Sequence, residues 1–196
     1  MNVYDFDKTI YDGDSATNFF FYSIKKNPKL MLSILKLPFS FMRFKMGTIS
    51  RTVMKQSLYQ YVKHIDNLED EVKEFWQQEK HKIKDWYLAQ KDDSDLIISA
   101  SPEFLIKPIC DELNVVWMAS KLDPTTGKYD GSNCYGEHKV DRYREFYNDE
   151  MMDDFYSDSL SDSPLAKLAK KAYFVKGNTI TEWPLAALLD QDTIYD

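Results

Sequence analysis

Cysteine is almost missing from this chain. Cys110 and Cys134 are its only two. Their spacing matches neither a disulfide framework nor a zinc ligand set, so two reduced, structural thiols in a cytoplasmic protein are expected. An excess of positive charge is missing too. The net charge of −7 leaves no electrostatic footprint for nucleic acid, and none is expected as a partner. No apolar run can span a bilayer, because the most apolar stretch, residues 30–46, is interrupted by Lys36 and Pro38. A secretory signal is not expected, since residues 1–7 read as a first strand and its acids. Internal repeats and low-complexity tracts are absent. The most uneven absence is of acid. Between Ser15 and Ile65 there is no Asp or Glu, against nine cations: Lys25, Lys26, Lys29, Lys36, Arg43, Lys45, Arg51, Lys55 and Lys63. That stretch carries +9 and leaves −16 for the remainder of a −7 chain.

What the chain does have suffices for one substantial core with a small appended domain: 196 residues, 43% hydrophobic and 29% charged. The most informative residues are Asp5 and Asp7, in Val3-Tyr4-Asp5-Phe6-Asp7-Lys8-Thr9. If residues 2–6 form a buried strand, both carboxylates project from its C-terminal end, where open α/β sheets place their ligand crevice. Close carboxylates repel, and are stable together when a cation lies between them or one holds a proton. That chemistry suits a hard cation such as Mg2+ with a phosphoryl group as its companion. An isolated Asp-x-Asp-x-Thr also describes a polar turn after a strand, so the decision rests on the rest of the chain.

From about residue 15 to 90 the pattern is helical only: Ser15 to Lys26, Pro28 to about Phe44, Thr48 to Ile65, and Asp66 to Gln90. The last shows an acid-rich start and apolar residues at helical spacing. From about 93 the pattern alternates, with strand 95–99, helix 102–113, strand 115–119 and a hairpin around Thr126-Gly127-Lys128. Helix 138–147, strand 154–158, helix 163–171 and strand 172–175 follow. Alternation of this kind implies a parallel sheet with right-handed crossovers.

Three further motifs follow in order. Asp95 to Pro102 is an apolar strand ending in Ser99, with Pro102 placed for the first turn of a helix. Gly136-Glu137-His138-Lys139 sets a lysine at a helix entrance. Asp153 to Asp162 is a short strand followed by Asp158 and Asp162, four apart. Singly, Ser99 could be a small strand-end residue, Lys139 a solvated helix residue, and the two acids a loop residue and a helix cap. His138, Glu137, Arg142 and Arg144 match no motif and read as surface. All four motifs in sequence make the chain resemble the haloacid dehalogenase superfamily, in its phosphoserine-phosphatase-like branch with a helical cap.

The resemblance implies a three-layer, Rossmann-like α/β core (1–14 and 91–196) with a mostly parallel sheet and an all-helical cap (15–90) after the first strand. It also implies an Mg2+-dependent phosphomonoester hydrolase working through an aspartyl-phosphate. Asp5 would be the nucleophile, and Asp7 the acid and then the base. Asp5, the Asp7 backbone carbonyl and Asp158 would hold the metal. Thr9, Ser99, Ala100 and Lys139 would bind the phosphoryl group, and Asp162 would orient a metal-bound water or Lys139. A non-catalytic phosphate-binding domain is the rival reading, and the intact motif set argues against it.

Departures from the phosphoserine pattern bear on substrate. Ser99-Ala100-Ser101 stands where that branch has Ser-Gly-Gly, and Ser157-Asp158-Ser159-Leu160-Ser161-Asp162 where it has Gly-Asp-Gly-x-Asn-Asp. Asp14, nine residues after Asp5, stands where those enzymes meet the substrate amine with a glutamate; it would also serve as a helix cap. A small phosphometabolite such as phosphoserine is the substrate expected first. The basic, apolar 29–46 stretch admits two readings. One is cap helices packed on the core. The other is peripheral contact with anionic lipid at the inner membrane face, as the similar cap of bacterial phosphatidylglycerophosphate phosphatases implies, with a lipid phosphate as substrate.

Overall fold

The structure, a computed structural model, describes residues 1–189. Strand β1 (Val3–Tyr4) leads into a helical insertion: α1 (Ser15–Lys26), α2 (Leu37–Lys45), α3 (Arg51–Leu58), α4 (Leu68–Glu79) and α5 (Asp85–Gln90), joined by 3-10 turns. Then come β2 (Leu96–Pro102), α6 (Glu103–Leu113), β3 (Val116–Ser120), and a hairpin of β4 (Leu122–Asp123) and β5 (Lys128–Tyr129). The chain continues through α7 (Glu137–Tyr147), β6 (Met152–Ser157), α8 (Ser163–Ala166), β7 (Ala169–Lys176), β8 (Thr179–Glu182) and α9 (Leu185–Leu189).

The main sheet has the order β3-β2-β1-β6-β7-β8. All neighbouring pairs are parallel except the edge pair β7 and β8. Side chains alternate across the sheet with period two. Val3, Leu96, Ile98 and Phe155 pack with Val140, Tyr143 and Leu165 of α7 and α8. Tyr4, Ile97 and Tyr156 face the other way, toward Leu105, Ile106 and Ile109 of α6 and toward Trp76 and Tyr87 of the insertion. The result is the expected three-layer α/β sandwich. Register places Tyr4 beside Tyr156 and Tyr156 beside Tyr173. Their rings stack at 4.9 and 4.8 Å across three strands, a geometry that adds to simple burial.

Two of the contacts that tie the insertion to the core involve an α-helix and the hairpin. Trp76 Nε1 donates to the buried carbonyl of Leu105 at 2.7 Å, linking α4 to α6. The β4–β5 hairpin meets the 3-10 turn that follows α3, where Tyr59 packs edge-on against Tyr129. Gly127 has a positive φ there, and a Cβ on it would come within 2.9 Å of the Tyr59 carbonyl. Among the described residues no helix is long and apolar enough to cross a membrane.

Several boundaries differ from expectation. The helix from Pro28 to Phe44 is two pieces, a 3-10 stretch Pro28–Ile34 and then α2. Pro38 lacks an amide hydrogen and its ring blocks the preceding turn, so an α-helix restarts around it instead of running through it. The 48–65 helix begins only at Arg51, capped by Ser50, and closes as a 3-10 turn. The 66–90 helix breaks at residues 80–84, where Ile83 is extended and bridges to Tyr11. Helix 163–171 stops at Ala166, because Ala169–Lys176 pairs with β6 as a strand. Pro102 closes β2 and sits just before the helix rather than inside it. Strand β8 and helix α9 were not expected. Residues 190–196 of the expected core segment lie outside the described residues.

Candidate active site

The central position of β1 decides where the chemistry goes. Asp5 follows β1 directly and extends its ladder, its N–H donating to the Tyr156 carbonyl. Asp5 therefore emerges between β2 and β6, at the C-terminal ends of three parallel strands. The loop after it turns back through Lys8, a non-glycine residue at φ 61°. Lys8 N–H donates to the Gly13 carbonyl across the loop. Gly13 itself sits at φ 155°, and a Cβ there would meet the Asn18 amide at 2.8 Å.

Asp5 is buried, and Lys139 Nζ lies 2.5 Å from its Oδ1. The same ammonium lies 2.8 Å from Asp162 Oδ2, and Ser157 Oγ donates to that oxygen at 2.7 Å. Lys139 is only 2% exposed, so one cation stands between two buried carboxylates in a medium that screens little. Both carboxylates hold its pKa well above the ordinary lysine value despite the opposing effect of burial. Burial pushes the Asp5 carboxyl up, Lys139 opposes that, and the nearby charges of Asp162 and Asp158 reinforce it.

Asp7 is half-buried. Its Oδ1 accepts the Ser15 N–H and its Oδ2 the Ser101 hydroxyl, both at 2.6 Å. Burial raises its pKa although these bonds pull it down. A shift in that direction favours the protonated form, the form a general acid needs. Thr9 is fully buried. Its hydroxyl donates to Asp5 Oδ2 at 3.1 Å and accepts the Asp158 N–H at 2.9 Å, joining the β1 and β6 loops.

These groups surround a cavity of about 260 Å³ whose walls include Asp5, Asp7, Ala100, Lys139, Asp158 and Asp162. Asp14 also lines it while capping α1 through Thr17 N–H, so the two readings of Asp14 are compatible. Ser99 is different. It is wholly buried behind the cavity, its Oγ accepting the Ser101 N–H at 3.0 Å, and Ser101 reaches the wall instead. Asp162 precedes α8, but its side chain makes no capping bond there; the carboxylate is taken by Lys139 and Ser157. His138 is exposed beside Asp141, as a surface residue should be.

The donor set suits a hard divalent cation. Asp158 lies close enough to Asp5 to raise its pKa, a repulsion that a cation between them relieves. Among the described residues no three His, Cys, Asp or Glu side chains converge into a cage. Asp5 and Asp158, both on the cavity wall, are carboxylates that could share such a cation.

The sequence reading missed Ser101, Lys84 and the wall that the helical insertion supplies through Lys55, Leu58 and Tyr59. Ser101 had a signal, since Ser-x-Ser offers two hydroxyls and only packing chooses between them. Lys84 had none. It is 6% exposed, and its ammonium donates to the carbonyls of Lys8 and Gly177 at 2.6 Å each. It thereby clips the loop after Asp7 to the β7–β8 turn.

The family model described as haloacid dehalogenase-like hydrolase matches residues 3–167. No curated protein matches the chain. Among solved structures, a protein of unknown function from Bordetella pertussis Tohama I is similar at TM-score 0.69 and 18% identity, over 88% of this chain and 87% of that one. A phosphoserine phosphohydrolase-like protein from Francisella tularensis subsp. tularensis SCHU S4 gives 0.51 and 17%, over 87% and 84%. A phosphoserine phosphatase solved as a phospho-aspartyl intermediate analogue gives 0.50 and 15%, over 87% and 83%.

Proposed function

The chain belongs to the haloacid dehalogenase-like hydrolase family, and on that footing we propose that it is a Mg2+-dependent phosphomonoester hydrolase with residues 15–90 as its cap. The observation that carries this reading is the buried Asp5 carboxylate held at 2.5 Å by Lys139 at the mouth of the central strand, with Asp7 on the same cavity. An Asp5 oxygen attacks phosphorus, and the ester oxygen departs with the proton from Asp7. Asp7, now a carboxylate, takes a proton from the water that attacks the aspartyl-phosphate. That second step releases phosphate and restores both acids. Lys139 offsets charge on the transferring group, while Ser101 and Ser15 keep Asp7 aimed at the cavity. Asp5, Asp158 and the Asp7 carbonyl would hold the cation, which supplies further charge neutralisation for the phosphoryl group when bound.

The substrate we favour is a small phosphometabolite such as phosphoserine, because Asp14 lines the cavity wall, where it can meet an amine. A phosphorylated lipid headgroup is the second reading, supported by the exposure of apolar residues on the cap described below. Hydrolysis of p-nitrophenyl phosphate with and without EDTA tests the reaction class, and a phosphate-release screen spanning both substrate types tests the choice. Asp5→Asn should reduce turnover by several orders of magnitude. Chelator-insensitive turnover, or an active Asp5→Asn protein, defeats the reading.

A further inference from the structure

If residues 29–46 packed their apolar side chains on the core, α2 would bury a face. Leu30 is buried and Ile34 packs beside it, and Leu37, Ser40 and Phe44 are half-buried, but no residue of α2 is fully buried. Leu32, Leu35, Phe39, Met42 and Met46 recur at spacings of three and four, and each is 50–72% exposed. That spacing sets them along one side of the 3-10 stretch and α2, a continuous apolar stripe facing solvent. Cations lie beside it. Lys36 and Arg43 follow Leu35 and Met42 by one residue, and Lys45 Nζ sits 5.6 Å from the centroid of the exposed Phe41 ring.

We propose that this stripe is a docking surface for an anionic lipid bilayer, with α2 lying in the interfacial plane. Charge selects this occupant. The 15–65 segment is +9 with no acid, so a second copy seated on the same face would bring two such segments together. A bilayer bearing phosphate headgroups offers apolar depth for Phe39 and its neighbours, and negative charge for the lysines and Arg43. The −16 remainder is repelled by the same surface and holds the core on the solvent side. The surface is also mechanically close to the cavity. Ser57 Oγ donates to Ser40 Oγ at 2.8 Å, pinning α2 to α3, and Lys55 and Leu58 of α3 line the cavity wall.

The test is co-sedimentation of the full chain with phosphatidylcholine vesicles and with equimolar phosphatidylcholine–phosphatidylglycerol vesicles, without any phosphate ester. The protein should pellet with the anionic vesicles alone, and less so as salt shortens the Debye length below about 8 Å. Leu35→Ser with Phe39→Ser and Met42→Ser should abolish pelleting and leave the melting curve and aryl-phosphate turnover as in the parent. Lys36→Gln with Arg43→Gln should weaken vesicle affinity on the order of tenfold. This second variant decides the matter if the first melts early. No pelleting by the parent, equal pelleting on both vesicle types, or unchanged affinity in the charge variant overturns the proposal. So does a parent dimer that the serine variant dissociates, because a second copy then covers the stripe. A protein that binds vesicles yet hydrolyses nothing supports the surface and counts only against the hydrolase reading.

Discussion

Replacing Lys84 with methionine should cost both stability and rate, by amounts the geometry allows to be worked out. Its ammonium makes two charge-assisted hydrogen bonds, each 2.6 Å, to the carbonyls of Lys8 and Gly177. Lys8 and Gly177 are exposed turn residues, so water can reach the freed carbonyls and the low end of the range applies, about 1.5 kcal/mol each. The sum is ~3 kcal/mol. Methionine keeps most of the packing, and burial holds the Lys84 pKa below its ordinary value, so relief of that desolvation offsets part of the loss and ~3 kcal/mol is an upper bound. For a chain of this length, ~3 kcal/mol corresponds to roughly 6–12 °C in Tm. Rate should suffer separately. Lys8 follows Asp7 directly and holds a left-handed backbone at φ 61°, which a lysine adopts only under constraint. Releasing that constraint lets the Asp7 carboxylate drift, and about 1 Å of drift costs up to 100-fold in kcat. Thermal melting and p-nitrophenyl phosphate kinetics on the same preparation check both parts. A Lys84→Met protein that melts with the parent and turns over at its rate would refute the idea that this clip shapes the loop.

Three other outcomes are expected. Lys139→Met should lower stability by about 3–5 kcal/mol, since Asp5 and Asp162 lose their shared cation; adding Asp162→Asn should recover part of that stability in urea titrations but none of the turnover. Burial holds the pKa values of Tyr4, Tyr11, Tyr61 and Tyr87 above the ordinary ~10. Below pH ~10 both folded and unfolded states keep these protons and stability is full. Above it the unfolded chain ionises first, so stability should fall by up to ~1.4 kcal/mol per pH unit per tyrosine. Urea midpoints that hold steady from about pH 9 to 11 would contradict this. Finally, Cys110 and Cys134 are buried, and burial pushes the Cys134 thiol up to about 11; Ellman's reagent should label neither until the protein unfolds.

The four motifs were legible in the sequence because each sets a chemically costly residue at a strand end or helix entrance. Strand alternation carried the sheet, and helical spacing with Asp14 as cap gave α1 its full span. What could not be read was set by tertiary contact. Ser99 and Ser101 are equivalent in the sequence, and only the packing behind β2 turns one away from the cavity. Lys84 acts through backbone carbonyls, which leave no mark in side-chain pattern. The split of residues 66–90 depends on Ile83 pairing with Tyr11, more than seventy residues away. The 29–46 stretch was ambiguous between core and surface because composition records how apolar a helix is, not whether anything covers it.

The place of β1 in the sheet also sets an order of events for a growing chain. Its two residues precede their partners by a long stretch of chain, Leu96 and Ile97 on one side and Phe155 and Tyr156 on the other. The ion pair that arms Asp5 joins residues 134 apart. During synthesis the helical insertion can form by local contacts as soon as it emerges, while β1 waits unpaired until β2 and β6 are made. Helix is present long before the carboxylates and Lys139 can meet. A chain interrupted before residue 139 therefore carries every atom of Asp5 and Asp7, but not the lysine that pairs with Asp5.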